Sequence, residues 1–353
     1  MTHQPRVFDP TALEADPQAA SPGGPGERDL EAGLRPQNLT EFVGQERLLA
    51  NLRVAIQAAR ARGEALDHVL FSGPPGLGKT SLARILAHEL GTRLMPTSGP
   101  ALERPRDLVG ILTQLERGDV LFIDEVHRIP APVEEYLYSA MEDFSVDFTI
   151  DQGPHARIVP LQLAPFTLVG ATTREGLLSG PFRSRFGIAE RLVPYPVEDL
   201  VRILARSASI LDVALEPAGA QLIAERARGT PRIANRFLRR VRDFAEVAGA
   251  RAVDERLAGE TLARLGVDQH GLEELDRRIL AVMAQNPGLP VGLKTIAAAV
   301  GESEDTIEEV FEPHLLRSGF LHKTARGRQV TARGLEAIGL DPREARAQGG
   351  LFA

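Results

Sequence analysis

Gly73-Pro-Pro-Gly-Leu-Gly-Lys-Thr80 lies between an apolar run, Val69-Leu70-Phe71, and an amphipathic stretch from Ser81 to Leu90. Its spacing is G-x-x-x-x-G-K-T, which in a strand–loop–helix setting makes a phosphate-binding loop. Glycines let the backbone curl until successive N–H groups face one anion. The helix that follows adds its free N–H groups and the positive end of its dipole. Lys79 is placed to reach the β- and γ-phosphates of a nucleotide, and the Thr80 hydroxyl to ligate Mg²⁺. Gly73, Gly76, Gly78 and Ser81 complete the candidate loop. Such a match arises by accident in roughly one random chain in a hundred of this length. Leu82, Ile85, Leu86 and Leu90 on one helical face, closed by Gly91, make accident rarer still.

A chain of 353 residues is long for one domain, and two or three are expected. With 43% hydrophobic and 25% charged residues it reads as soluble and globular. Aromatics are only 5% and Trp is absent, which argues against stacking on single-stranded bases. A net charge of −7 excludes a protein that is basic all over, while a local basic patch stays open. The absence of cysteine excludes disulfides, thiolate metal sites and cysteine nucleophiles. No apolar run has the length of a membrane span, and residues 1–10 lack a signal pattern, so a cytoplasmic protein is expected.

Residues 1–33 are rich in Pro, Gly and Ala and read as a disordered tail. From 34 to 197 apolar strands alternate with helical stretches. Strands are expected at Val69–Ser72, Leu94–Thr97, Val120–Asp124, Phe166–Thr172 and Arg191–Tyr195, in an α/β domain with a parallel sheet. Residues 145–163 alternate around Gln152-Gly153-Pro154 and read as an inserted β-hairpin. From 198 to 270 the pattern is helical only. Thr230-Pro231 gives a helix start with a Thr cap, Ile233, Phe237, Val241 and Phe244 repeat at helical spacing, and Gly249 ends the helix. Residues 271–343 hold three helices, the third over Asp305–Ser318, and then a basic hairpin, the layout of a winged helix. Residues 344–353 are a second tail.

Val120-Leu-Phe-Ile-Asp124-Glu125 ends a buried strand in two carboxylates beside the phosphate loop. Asp124 is the candidate to hold Mg²⁺, and Glu125 to orient or deprotonate the attacking water. Another buried strand ends in Thr172-Thr173, and Thr173 is favoured to sense the γ-phosphate or its water. Arg185, in Arg183-Ser-Arg-Phe186, lies where a subunit edge would be and could act on a neighbour's γ-phosphate as an arginine finger, worth about 10³ to 10⁵ in rate. That implies a ring closed by head-to-tail contacts. Arg232 sits in a first helical turn, where a cation opposes the helix dipole unless an anion compensates. Arg317, Lys323, Arg326, Arg328 and Arg333 cluster without an acid between His314 and Arg333. Arg326-Gly327-Arg328, at a hairpin tip, could lie along phosphates, glycine allowing close approach, with a solvated basic loop as the alternative. No base-reading pattern accompanies them.

Together these residues resemble the AAA+ ATPases, and among them the RuvB family of Holliday-junction branch-migration motors. The marks are Leu34-Arg-Pro36, Phe42-Val-Gly-Gln45, Gly73–Thr80, Phe122–Arg128, Met141–Phe144, Gly170–Arg174, Arg183–Gly187, Gly229–Arg232 and the Arg326–Arg328 wing, in order from about Leu34 to Leu340. The resemblance implies an AAA+ P-loop parallel-sheet domain, an all-α lid domain and a C-terminal winged helix. It implies a homohexamer that uses ATP and Mg²⁺ to pump duplex DNA at four-way junctions. A RuvA-like junction-binding protein and a RuvC-like resolvase would be its partners. Leu34, Arg35 and Tyr195 would border the base; Glu142, Asp143 and Phe144 would approach the neighbour's nucleotide; Arg232 would be the lid sensor. Phe148 and Ile150 of the hairpin would dock on the RuvA-like partner, and Lys323, Arg326 and Arg328 would contact DNA. Lys323 departs from the arginine common there, which weakens any bidentate grip. The competing reading is a nucleotide-controlled switch, of clamp-loader or origin-binding type, that binds DNA without processive movement. A protein-unfolding ring finds no aromatic pore loop in its favour.

Overall fold

Val69-Leu-Phe-Ser72 is buried residue by residue, as a strand covered on both faces must be. In the computed structural model, residues 33–150 and 157–343 are described, the side chains of 148–150, 157 and 158 excepted. The two expected tails (Gly33 aside), the hairpin tip at Gln152-Gly153-Pro154 and the side chains of Phe148 and Ile150 lie outside the described residues. The chain divides into two units, one of residues up to Gly73 with Gly78–Val193, the other of Pro74–Leu77 with Pro194 onward.

In the first unit a parallel sheet has the order β2 (Leu94–Ser98), β3 (Val120–Asp124), β6 (Thr167–Thr172), β1 (Val69–Ser72) and β7 (Ile188–Arg191). The inner strands β1 and β6 are fully buried and β3 is buried up to Asp124, whereas the edge strands are half-covered. The last strand was expected over Arg191–Tyr195 and lies three residues earlier. Its pairing with β1 starts at Ile188 opposite Val69, and Leu192 still donates to the Ser72 carbonyl. Beyond it Pro194 and Pro196 have no N–H to extend the ladder. Helices α1 (Glu46–Arg62), α2 (Lys79–Leu90), α3 (Pro105–Leu112), α4 (Ala131–Glu142) and α5 (Gly180–Arg183) belong to this unit. Strands β4 (Ser145–Ile150) and β5 (Arg157–Gln162) form the expected antiparallel hairpin, Ser145 opposite Gln162. Val146 at its base is buried in the core with Leu121, Ile123, Leu137 and Phe166.

The second unit holds α6 (Val197–Ile210), α7 (Pro217–Arg226), α8 (Pro231–Ala248) and α9 (Glu255–Arg264). Helix α8 buries Ala234, Phe237, Leu238, Val241 and Ala245, one stripe at helical spacing, and ends at Gly249 with φ 62°. Thr230 precedes it, but its hydroxyl makes no capping bond. Its methyl group instead lies 2.8 Å from where a Cβ on Gly76 would stand.

Helices α10 (Glu274–Ala284) and α11 (Leu293–Val300) open the winged helix. The third helix, expected as one piece, is α12 (Glu304–Thr306), a π-helical turn (Ile307–Phe311) and α13 (Glu312–Arg317). Pro313 has no N–H to return to the preceding turn, and the helix widens there. Strands β8 (Leu321–Thr324) and β9 (Gly327–Val330) and helix α14 (Ala332–Ala337) complete it around Ile279, Met283, Ile296, Leu315 and Phe320. A Cβ on Gly327 would collide with the Val291 carbonyl, because Val291 and Arg328 exchange backbone hydrogen bonds at 2.7 and 2.8 Å. Val291 is therefore a neighbour that requires this glycine.

A Cβ on Gly334 would likewise strike the Phe320 carbonyl. Gly334→Ala is expected to destabilise the winged helix by about 1–3 kcal/mol. Calorimetry would show this as an earlier melting transition, and an unchanged transition would contradict it.

Candidate functional site

Within the first unit the loop is entered through Gly73, at φ 134°, whose N–H donates to the Thr172 carbonyl at 3.2 Å. A Cβ there would lie 2.5 Å from the Leu192 carbonyl oxygen. Gly78, at φ 108°, stands at the start of α2, which no side chain caps and whose first turn carries no acid. Both glycines hold conformations that a side chain would strain, and the open helix N-terminus favours an anion. Lys79 is buried and its Nζ donates to the Gly73 carbonyl at 2.7 Å, so the cation is folded over the loop.

Register brings the polar strand ends level: Ser72 is opposite Thr172, and Ser98 is opposite Asp124. Glu125, just past β3, has φ 49°. Its Oε2 accepts from the Thr173 N–H at 3.3 Å and the Thr173 hydroxyl at 3.2 Å, and His127 Nδ1 lies 3.1 Å away. His127 Nδ1 is also 2.9 Å from the Thr172 hydroxyl. Burial works to raise the Glu125 carboxyl. The His127 hydrogen bond, the Lys79 and His127 charges and the Thr173 N–H outweigh it and hold the group below the ordinary glutamate value. Of the two threonines, Thr173 touches Glu125, while the buried Thr172 bonds His127 and the Arg174 N–H. Sequence reasoning missed His127, although its place two residues past Glu125 was a usable signal.

At the end of α4 and after α5, Arg185 meets its own chain's Glu142 at 3.1 Å. Its Nη1 donates to the Pro181 carbonyl at 2.7 Å, and its Cζ lies 4.3 Å from the Tyr138 ring centroid. Its Nε is buried with no hydrogen-bond partner. Asp143 is exposed beside Glu142, whereas the Phe144 ring turns inward, edge-on to His68 and Phe166. Leu34 is buried and Arg35 half-buried.

In the second unit the Tyr195 hydroxyl donates to the Leu77 carbonyl at 3.2 Å, and its N–H to the Gly229 carbonyl at 2.9 Å. The Arg232 N–H donates to the Gly76 carbonyl at 3.4 Å, and its side chain is exposed. On the wing, Arg326 is exposed at the β8–β9 turn and Lys323 half-exposed. Arg328 is not on the surface: it bonds both oxygens of buried Glu312, at 3.1 and 2.9 Å, and Glu308 at 3.2 Å. Burial disfavours its charge, but Glu312 and Glu308 overcome that and hold the guanidinium above the ordinary arginine value. Lys323 also reaches Glu308, at 2.8 Å. Glu308 lies in the π-helical turn and Glu312 opens α13.

Three consecutive family matches cover this arrangement: Holliday junction DNA helicase RuvB P-loop domain over 34–192, RuvB AAA lid domain over 195–268, and RuvB C-terminal winged helix domain over 269–339. The chain belongs to the RuvB family. It is 57% identical over 324 residues to the RuvB subunit of the Holliday junction branch migration complex of Myxococcus xanthus, covering 92% of this chain and 94% of that one. The RuvB subunit of Prosthecochloris aestuarii is 56% identical over 312 residues, with 88% and 91% covered. The solved Thermotoga maritima RuvB Holliday junction branch migration motor superposes with a TM-score of 0.81 at 50% identity, covering 88% of this chain and 99% of that one. The Aeropyrum pernix ORC2 protein, at 15% identity and a TM-score of 0.52, shares the fold alone.

Removing the His127 ring takes away influences that keep Glu125 ionised. If Glu125 is the base, His127→Ala is expected to move the acidic limb of the kcat/KM profile for ATP to higher pH. An unmoved limb would contradict the assignment.

Proposed function

We propose that this chain is an ATP-driven motor that moves duplex DNA and so drives branch migration of Holliday junctions in recombination and repair. The observation that carries this is the unbroken RuvB match through P-loop, lid and winged helix, laid over a Lys79–Glu125–Thr173 cluster suited to phosphoryl chemistry.

The loop amides and Lys79 bind the phosphates, and Lys79 neutralises charge on the β- and γ-groups. Thr80 and Asp124 form a hard oxygen donor set, one hydroxyl and one carboxylate, that fits Mg²⁺ with phosphate and water completing its shell. The bound metal would neutralise developing charge on the phosphates. Glu125, kept ionised, takes up the proton of the attacking water or orients it, and Thr173 sets the direction of its carboxylate. Arg232 senses the phosphate from the lid, and Tyr195, with Leu34 and Arg35, borders the base.

Arg185 belongs to the neighbouring subunit's reaction in a homohexameric ring. Its pair with Glu142, 57% exposed, is worth under about 1 kcal/mol. A neighbour's triphosphate can therefore draw it away, and its unpartnered Nε gains an acceptor. Glu142 and Asp143 lie on the same edge. Lys323 and Arg326 meet DNA phosphates, while Arg328 fixes the wing from beneath through Glu312. The β4–β5 hairpin, through Phe148 and Ile150, docks on a RuvA-like junction-binding protein, and a RuvC-like resolvase acts on the same junction. Such work is done in the cytoplasm; among the described residues no helix is long and apolar enough to cross a membrane.

Arg185→Ala is expected to leave nucleotide affinity within a few-fold and cut turnover about 10³-fold or more. Mixing it with Glu125→Gln protein should restore activity, since mixed rings pair an intact Glu125 with a neighbour's intact Arg185. No recovery under subunit exchange would contradict action in trans. On a synthetic four-way junction with the RuvA-like partner, ATP turnover without junction dissociation would favour the nucleotide switch instead.

A further inference from the structure

Arg228 stands four residues before Arg232 in the connection from α7 to α8, with φ 59°. A non-glycine residue keeps that conformation only where its surroundings impose it. Its guanidinium is buried: Nε donates to the Gly271 carbonyl at 2.7 Å, and Nη1 and Nη2 to the two oxygens of Asp276 at 3.3 and 2.5 Å. Asp276 is fully buried in the first turn of α10 and also accepts the Glu273 N–H at 2.8 Å. From the end of α13, Arg317 Nη2 donates to the Arg228 carbonyl at 2.6 Å. Burial and the charges of Arg228 and Arg317 push His314 down to about 3, so it adds no third cation. Burial pushes the Asp276 carboxyl up while the Arg228 charge draws it down, and Glu273 lies 3.5 Å from Arg228 Nη2.

The other end of this short connection meets the phosphate loop. The Gly229 carbonyl accepts from Tyr195, the Thr230 methyl packs at Gly76, and the Arg232 N–H donates to the Gly76 carbonyl. Residues 228–232 thus touch the nucleotide loop at one end and the first and third helices of the winged helix at the other. A buried ion pair resists partial breakage, because separating the partners leaves an uncompensated charge. A displacement at one end is therefore carried whole to the other.

We propose that Arg228 is a positioning residue that links nucleotide state to DNA grip, turning a shift of Arg232 at the phosphates into a shift of the winged helix through Asp276 and Arg317. The inference rests on the motor reading above. By linkage, ATP must then change duplex affinity by the factor by which duplex changes ATP affinity.

The test uses the full chain with Arg228→Lys, Asp276→Asn and Arg317→Gln. Duplex affinity is measured with ADP and with a slowly hydrolysed ATP analogue, alongside KM and kcat for ATP with and without duplex. Wild type should show a clear ratio between the two nucleotide states. In the variants that ratio should fall at least about fivefold while duplex affinity with ADP stays within about twofold. Folded variants that melt earlier yet keep the wild-type ratio would reduce Arg228 to a structural staple and overturn the proposal. Should the two ion-pair variants fail to fold, Arg317→Gln decides alone, because it leaves the Arg228–Asp276 pair intact, and an unchanged ratio there is also a refutation. A wild-type chain that neither hydrolyses ATP nor binds duplex would contradict the motor reading itself, a different result from lost coupling.

Discussion

Parallel register is the constraint on which the site depends. Strands β1 and β6 stop level, Ser72 opposite Thr172, and β3 stops one residue short of them, so that Ser72, Thr172 and Asp124 share the C-terminal end of the sheet. The Gly73 N–H extends the ladder by one bond to Thr172 before the chain turns away into the loop. Because these strands are buried on both faces, a slip of one residue in any of them would exchange the residues between two packed faces and carry its polar end out of line with its neighbours'. Burial of β1, β3 and β6 therefore fixes more than the core. It fixes how far Glu125 stands from Thr173, and hence which way its carboxylate points.

Three arginine–carboxylate pairs differ in strength for reasons of exposure, and the difference matches their proposed uses. Arg185 rests on a Glu142 that is largely in water, where screening leaves little energy. Arg328 and Arg228 are paired with carboxylates that are almost wholly buried, Glu312 and Asp276. Removing one partner there exposes the other to the full desolvation penalty. The weak pair suits a residue that must leave its own subunit to act. The strong pairs suit residues that hold a wing and a joint in shape.

Much of the fold was legible because local chemistry and global packing agree. The loop, β3 with its two acids, the hairpin base and the α8 stripe each carry a period or a spacing that only one structure satisfies. The last strand was misplaced because Arg191-Leu-Val-Pro-Tyr195 looks apolar, while prolines without N–H groups end its pairing. The third helix of the winged helix was read as continuous across Pro313, and the close approach of the Val291 backbone to Gly327 was not legible in the local sequence. The acid-free stretch from His314 to Arg333 hid the pairing of Arg328, since Glu312 and Glu308 come to it from an earlier helix. Arg228 and Asp276 are 48 residues apart, and no spacing rule joins them.

The central claim is that one copy of this chain grips the triphosphate and the next one triggers it. The most direct measurement is a cryo-EM map of the chain assembled on duplex DNA with Mg²⁺ and a slowly hydrolysed ATP analogue. The account predicts Arg185 detached from its own Glu142, its guanidinium within hydrogen-bond reach of the γ-phosphate held by the adjacent subunit's phosphate loop. A map of the assembled state with Arg185 still on Glu142, remote from every nucleotide, would contradict it.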